Sequence, residues 1–155
     1  MADGYTEQGV IFYSGENRLV GIASLPEQSE STGVLILVGG PQYRVGSHRQ
    51  FTLLARGLAE TGVPCFRFDY AGMGDSEGDR QAFSDVQGDI GVALDQFQEM
   101  APQVNKVIVW GLCDAASVAL MHAHSEPRIC SLILLNPWVH GGDYSPQVKL
   151  SHYYA

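Results

Sequence analysis

The stretch Val107-Ile108-Val109-Trp110-Gly111-Leu112-Cys113-Asp114-Ala115-Ala116 constrains this chain more than any other. An apolar, β-branched run ends in Gly-x-Cys-x-Ala, and a helix pattern rich in small residues follows at once. That is the layout of a nucleophile elbow, a sharp strand-to-helix turn that lifts one side chain above a parallel sheet. The backbone is crowded there, so the positions two before and two after the raised residue must be small. Gly111 and Ala115 meet that demand, and Ala116 extends it. The raised residue is Cys113. Its thiol would sit at a helix N-terminus, whose partial positive charge favours thiolate, beside Asp114, whose negative charge disfavours it. A lone cysteine is as readily a small core residue. The strand before Cys113 and the helix after it make the nucleophile reading the sharper one.

The 155 residues suffice for a single domain, 1–155, with a real core. Apolar residues make up 45% and glycine is abundant at 18, which suits a globular fold with many tight turns. The net charge is −8 and the only lysines are Lys106 and Lys149, so there is no basic patch and no nucleic-acid partner is expected. Cys65, Cys113 and Cys130 form no CxxC pair, and the N-terminus has no secretory pattern. Both point to a reducing, cytoplasmic setting. No apolar run is long enough to span a bilayer. No His/Cys/Asp set has metal-ligand spacing, and neither metal nor cofactor is expected.

Residues 9–14 and 19–25 read as two strands of a hairpin around Gly15-Glu16-Asn17. Val34 to Val38 is a continuous apolar run, as in a strand buried on both faces. Residues 47–60 read as a helix, with Ser47 and Gln50 as a capping box and Phe51, Leu54, Ala55 and Leu58 on one face. Residues 63–68 form another buried strand. Residues 84–100 form a helix with a second Ser-x-x-Gln box and an apolar face of Val86, Ile90, Ala93, Leu94 and Phe97. A strand at 107–110, a helix at 115–123 and a strand at 131–135 complete the pattern. The order ββ, then β-α-β-α-β-α-β, predicts an α/β fold: a mostly parallel sheet with helices on both faces and an antiparallel hairpin at its N-terminal end.

In such sheets ligands bind at the carboxyl ends of the strands. Three segments reach that edge beside the elbow. The first is Gly39-Gly40-Pro41-Gln42-Tyr43-Arg44. An oxyanion hole there would take one backbone N–H from the residue after the nucleophile, Asp114, and one from this loop. Pro41 has no N–H, so Gln42 is the expected second donor, through backbone or side chain. The second is Asp69-Tyr70-Ala71-Gly72-Met73-Gly74-Asp75-Ser76, whose glycine spacing does not fit a dinucleotide site. Asp69 is expected to organise its own turn. The third is Asn136-Pro137-Trp138, read as a wall of the site. A thiol nucleophile needs a base. Among His48, His122, His124, His140 and His152, only His48 stands near the active edge, so it is the possible base within this chain.

The strings GGPQYRVGSHRQFTLLARGLAETGVPCFRFDYAGMGDSEG, WGLCDAAS and LILLNPWV together resemble the α/β-hydrolase fold, and within it the exosortase A system-associated hydrolases, type 1. The resemblance runs to Trp138. It implies a cytoplasmic hydrolase linked to bacterial exopolysaccharide production and protein sorting. Ala71 departs from the pattern, where the family implies Arg. In this fold the acid and histidine follow the nucleophile in chain order, which places them beyond residue 155 and makes the chain the N-terminal part of such a domain. Two classes of function follow. One is an enzyme acting on a small-molecule acyl substrate, an ester or thioester, through Cys113. The other is a non-catalytic module of the same fold that associates with another chain, or with itself, through a bare sheet edge.

Overall fold

The computed structural model describes residues 4–82 and 85–137. Its strands are β1 (Tyr5–Ser14), β2 (Asn17–Pro26), β3 (Thr32–Leu37), β4 (Cys65–Phe68), β5 (Lys106–Leu112) and β6 (Ile129–Leu135). They form one sheet in the order β1-β2-β4-β3-β5-β6. β1 and β2 make the hairpin, from Tyr5↔Pro26 to Ser14↔Asn17, closed by a two-residue turn in which Gly15 takes φ 59°. Tight hairpin turns need such a positive φ, which glycine supplies without strain. β2 pairs antiparallel with β4, while β4, β3, β5 and β6 run parallel. Val34 lies opposite Ile108 and Leu37 opposite Gly111, so the two most apolar strands are parallel neighbours, as their sequences predict.

The helices are α1 (Gln50–Glu60), α2 (Gln87–Met100) and α3 (Asp114–His122). Alternate residues of β3 serve opposite faces of the sheet. Leu35 and Leu37 join Phe66, Phe68, Val107 and Val109 under α2 and α3, where Ile90, Ala93, Leu94 and Phe97 are buried. Val34, Ile36, Val38 and Cys65 face α1 and meet Phe51 and Ala55. Phe66 stacks on Phe97 at 5.7 Å between centroids, and Phe51 meets Trp110 edge-on at 5.6 Å. Helices on both faces thus follow from strands that are apolar on both.

The start of α1 differs from expectation. Residues Ser47–Arg49 form a short 3-10 turn, and His48 (φ 50°, ψ 30°) and Arg49 (φ 61°, ψ 24°) are left-handed. That kink takes Ser47 out of line with the helix, so Ser47 caps nothing with its side chain. Gln42, from the preceding loop, ties the 3-10 turn to the helix start: its Oε1 accepts from Ser47 N (3.3 Å) and Gln50 Nε2 (3.1 Å). Ser84, the other expected cap, lies outside the described residues. Among the described residues no helix is long and apolar enough to cross a membrane.

Candidate active site

β5 ends and α3 begins without a connecting loop, and the whole reversal falls on Cys113. Its φ of 58° and ψ of −120° lie in a region that residues with a Cβ rarely adopt. A backbone so placed costs about 1–3 kcal/mol and persists where its surroundings over-determine it. The surroundings are specific. Cys113 N donates to Leu135 O at the end of β6 (2.9 Å), and Cys113 O accepts from Ala116 N (3.0 Å) and Ser117 N (3.3 Å), opening the helix. A Cβ on Gly111 would stand 2.6 Å from Ala115 O and 2.7 Å from Ala116 N, so only glycine fits two residues before the cysteine. The thiol is half-buried, with Sγ 3.9 Å from Asp114 Oδ1.

The other two thiols have different settings. Cys65 is fully buried, and desolvation pushes its thiol up to about 12 against the opposing pull of the Arg67 charge. Cys130 is not sheltered in the same way. It lies instead on the edge strand, exposed, with its thiol 3.5 Å from Val107 O.

The loop after β3 lies directly against the elbow. A Cβ on Gly39 would meet Leu112 O at 2.5 Å and Ala115 N at 2.9 Å. Gly40 turns the chain with φ 63°. Gln42 follows, half-buried, its side-chain oxygen committed to the start of α1. Its backbone N–H donates to no group among the described residues. Asp114, the first residue of α3, contributes a first-turn N–H, and such groups point out of the helix end. The site thus holds a raised thiol flanked by a helix start and by a glycine loop packed onto that start.

A buried ion pair fixes the loop. Asp69 is fully buried at the end of β4, where it accepts from the backbone N of Arg44 (2.6 Å), the Arg44 guanidinium and Asp75 N (3.0 Å). Arg44 also reaches Asp75 Oδ2 at 2.7 Å. Burial works against the Arg44 charge, but Asp75 and Asp69 outweigh it and hold the guanidinium above its ordinary value. Asp69 does organise its own turn, as expected, and it ties that turn to the loop after β3 as well. Next to it the buried Arg67 reaches Glu7 Oε1 (3.0 Å) and Arg44 O (3.3 Å), and Arg56 bonds Glu7 Oε2 (2.6 Å). Burial tends to raise the Glu7 carboxyl; Arg56 and Arg67 prevail and keep it below the usual range. Ala71, where the family resemblance implied Arg, is buried and donates its N–H to Asp89 Oδ2 (2.8 Å). The arginine that pairs with Asp69 comes from the neighbouring loop. No local spacing rule announces a pairing across 25 residues.

Between the two tied loops lies a cleft of about 280 Å³, bounded by Pro41, Gln42 and Tyr43 on one side and Gly72, Met73 and Arg80 on the other. His48 is exposed on the 3-10 turn, and no hydrogen bond joins it to Cys113 among the described residues. His122 is buried in α3 and His124 is exposed. Asn136 takes φ 50° directly after β6, and Asn136 and Pro137 are exposed. Trp138, His140 and His152 lie outside the described residues.

Comparison with known proteins accords with this architecture. Residues 29–153 match the family described as serine aminopeptidase, S33. Similar solved structures include an esterase of Pyrococcus furiosus, 21% identical with a TM-score of 0.72, matched over 86% of this chain and 52% of its own. An α/β-hydrolase of a Penicillium species is 22% identical with a TM-score of 0.73, over 96% of this chain and 53% of its own. A thermostable carboxyl esterase of Bacillus coagulans is 18% identical with a TM-score of 0.67, over 83% and 44%. At these identities the likeness speaks to the fold alone, and the chain spans about half the length of each. No curated protein matches the sequence.

Proposed function

The chain belongs to the serine aminopeptidase S33 family of α/β-hydrolases, and on that premise we propose that it carries the nucleophile of an ester or thioester hydrolase, with Cys113 in the place of the attacking residue. Cys113 Sγ attacks the acyl carbon, and the bond to the leaving oxygen or sulfur breaks. The alcohol or thiol departs with a proton, and water then cleaves the acyl-cysteine to release the acid and restore the thiol. The backbone N–H groups of Asp114 and Gln42 face the developing oxyanion. The observation that carries this reading is the positive-φ turn at Cys113 with the Gly39 loop packed against it. The base and acid that complete the set belong, in this reading, to sequence beyond residue 155; His48 is the reserve base within the chain. The cytoplasmic setting and the link to bacterial exopolysaccharide and exosortase systems rest on the sequence strings alone.

The test is acylation. Protein incubated with an activated aryl ester and with an acyl thioester is expected to gain one acyl group, mapped by mass spectrometry to the peptide holding Cys113 and absent from Cys113→Ala. A protein that stays unlabelled by both substrates, while remaining folded, would point instead to the non-catalytic module. Turnover is a separate readout: without a positioned base the rate falls by about 10²–10⁴, so acylation without turnover places the base elsewhere.

A further inference from the structure

The cleft between the two loops is lined by both carbon surface and charge. Pro41, Tyr43 and Met73 give it carbon surface, and Tyr43 is exposed. Its charge comes from Arg80, which is exposed and joins no ion pair or side-chain hydrogen bond among the described residues. The other arginines near this edge are committed. Arg44 is held by Asp69 and Asp75, and Arg67 by Glu7. Asp75, the acidic residue next to the cleft's Gly74, shares the single charge of Arg44 with Asp69. Asp79 stands beside Arg80 in the chain and is exposed to solvent. The backbone beneath Arg80 is fixed: residues 79–80 press so closely on Gly72 that no Cβ fits there, and Gly72 holds φ 74°. A guanidinium on a fixed backbone is thus left unspent at the mouth of a cleft in a chain of net charge −8.

The cleft is also within reach of the thiol. Gly39 touches the elbow backbone, and Gln42 is three residues further on. At 3.8 Å between successive Cα atoms, Gln42 on the cleft's near wall lies within roughly 12 Å of Gly39. A chain of five or six carbons spans most of that distance.

We propose that Arg80 selects an acyl substrate whose chain ends in a carboxylate, with the chain lying on Pro41, Tyr43 and Met73 and the carboxylate on the guanidinium fork. This rests on the reading of Cys113 as the nucleophile and names the substrate class for it. Arg is suited to the task because its planar fork matches the two carboxylate oxygens. At an exposed site the preference is modest, about three- to fivefold, and it shrinks as salt is added.

The experiment compares two maleimides of equal length, 6-maleimidohexanoate and its neutral amide, in their rates of labelling each cysteine, followed by peptide mapping. The acid is expected to label Cys113 about three- to fivefold faster than the amide at low ionic strength. Arg80→Gln is expected to bring that ratio near one, and Arg80→Glu to bring it below one. The ratio at exposed Cys130 serves as the reference and stays unchanged in all three proteins. Arg80 is exposed and joins no ion pair or side-chain hydrogen bond among the described residues, so both variants are expected to fold like the parent. A ratio near one at Cys113 in the parent, or one that survives Arg80→Gln, overturns the inference however fast the thiol reacts. An Arg80-dependent ratio at Cys113 with no acyl-cysteine formed from esters sinks the hydrolase reading and leaves the carboxylate preference standing.

Discussion

At the scale of single residues, position decides what each of three identical thiols can do. Cys65 is sealed between β4 and α1. Its proton is held up to about pH 12, against 9.0 for an ordinary thiol. Below pH 9 the folded and unfolded chains both keep that proton, so stability is untouched. Between about 9 and 12 the unfolded chain releases it and the folded chain does not, so stability falls by about 1.4 kcal/mol per pH unit. Above that range the loss is complete. Urea unfolding of the parent and of Cys65→Ala across pH 8–11 is expected to show the variant's slope shallower by about one proton. Equal slopes would mean that the thiol is not sealed. Cys113 differs because its backbone carries the strain. The sequence made that position legible, since Gly111 and Ala115 mark the crowding in advance. The exposure of Cys130 was not legible, because an apolar strand at a sheet's edge reads like one at its centre. Nor was Arg80, whose interest lies in the cleft it borders and not in any motif.

At the scale of elements, the strands and helices were largely written in the hydrophobic pattern, because strands buried on both faces and helices with one apolar face have distinct periods. The entry to α1 was not. Gln42, outside the helix's own sequence, holds the 3-10 turn ahead of it, and a left-handed pair at His48–Arg49 separates Ser47 from the position a capping box needs. Four residues of β1, 5–8, escaped notice because Thr6, Glu7 and Gln8 are polar; they are held in the sheet by pairing with β2. The joint between β3's loop and α3 has no such tolerance. Gly39→Ala sets a methyl against Leu112 O and Ala115 N, both backbone atoms that cannot swing aside. It is expected to cost about 1–3 kcal/mol of stability and to slow acylation of Cys113. Gly57, exposed in the middle of α1, has open space where its Cβ would go. Gly57→Ala is expected to stabilise by about 0.5–1 kcal/mol, and thermal unfolding of the two variants checks both signs. A Gly39→Ala protein as stable as the parent would remove the close joint from the account of the site.

At the scale of the molecule, the sheet has two unequal edges. β1 is polar along much of its length, whereas β6 leaves Ile133 and Leu135 exposed among the described residues. We propose that two copies of the chain associate through β6. Sedimentation is expected to show a concentration-dependent dimer, weakened in Ile133→Lys and Leu135→Lys and unaffected by Ile11→Lys on β1. A chain that stays monomeric at high concentration would end that proposal. The β6 edge has a second significance. The amide of Cys113 is tethered to the last carbonyl of β6, Leu135 O, so the turn at Cys113 hangs from an edge strand of the described sheet. End strands fray first, and each opening of β6 removes one of the anchors that keep Cys113 in its costly backbone state. The lifetime of the strained turn is therefore set at the periphery: whatever clamps β6, another strand or another molecule, acts as a thermostat on a backbone it never touches.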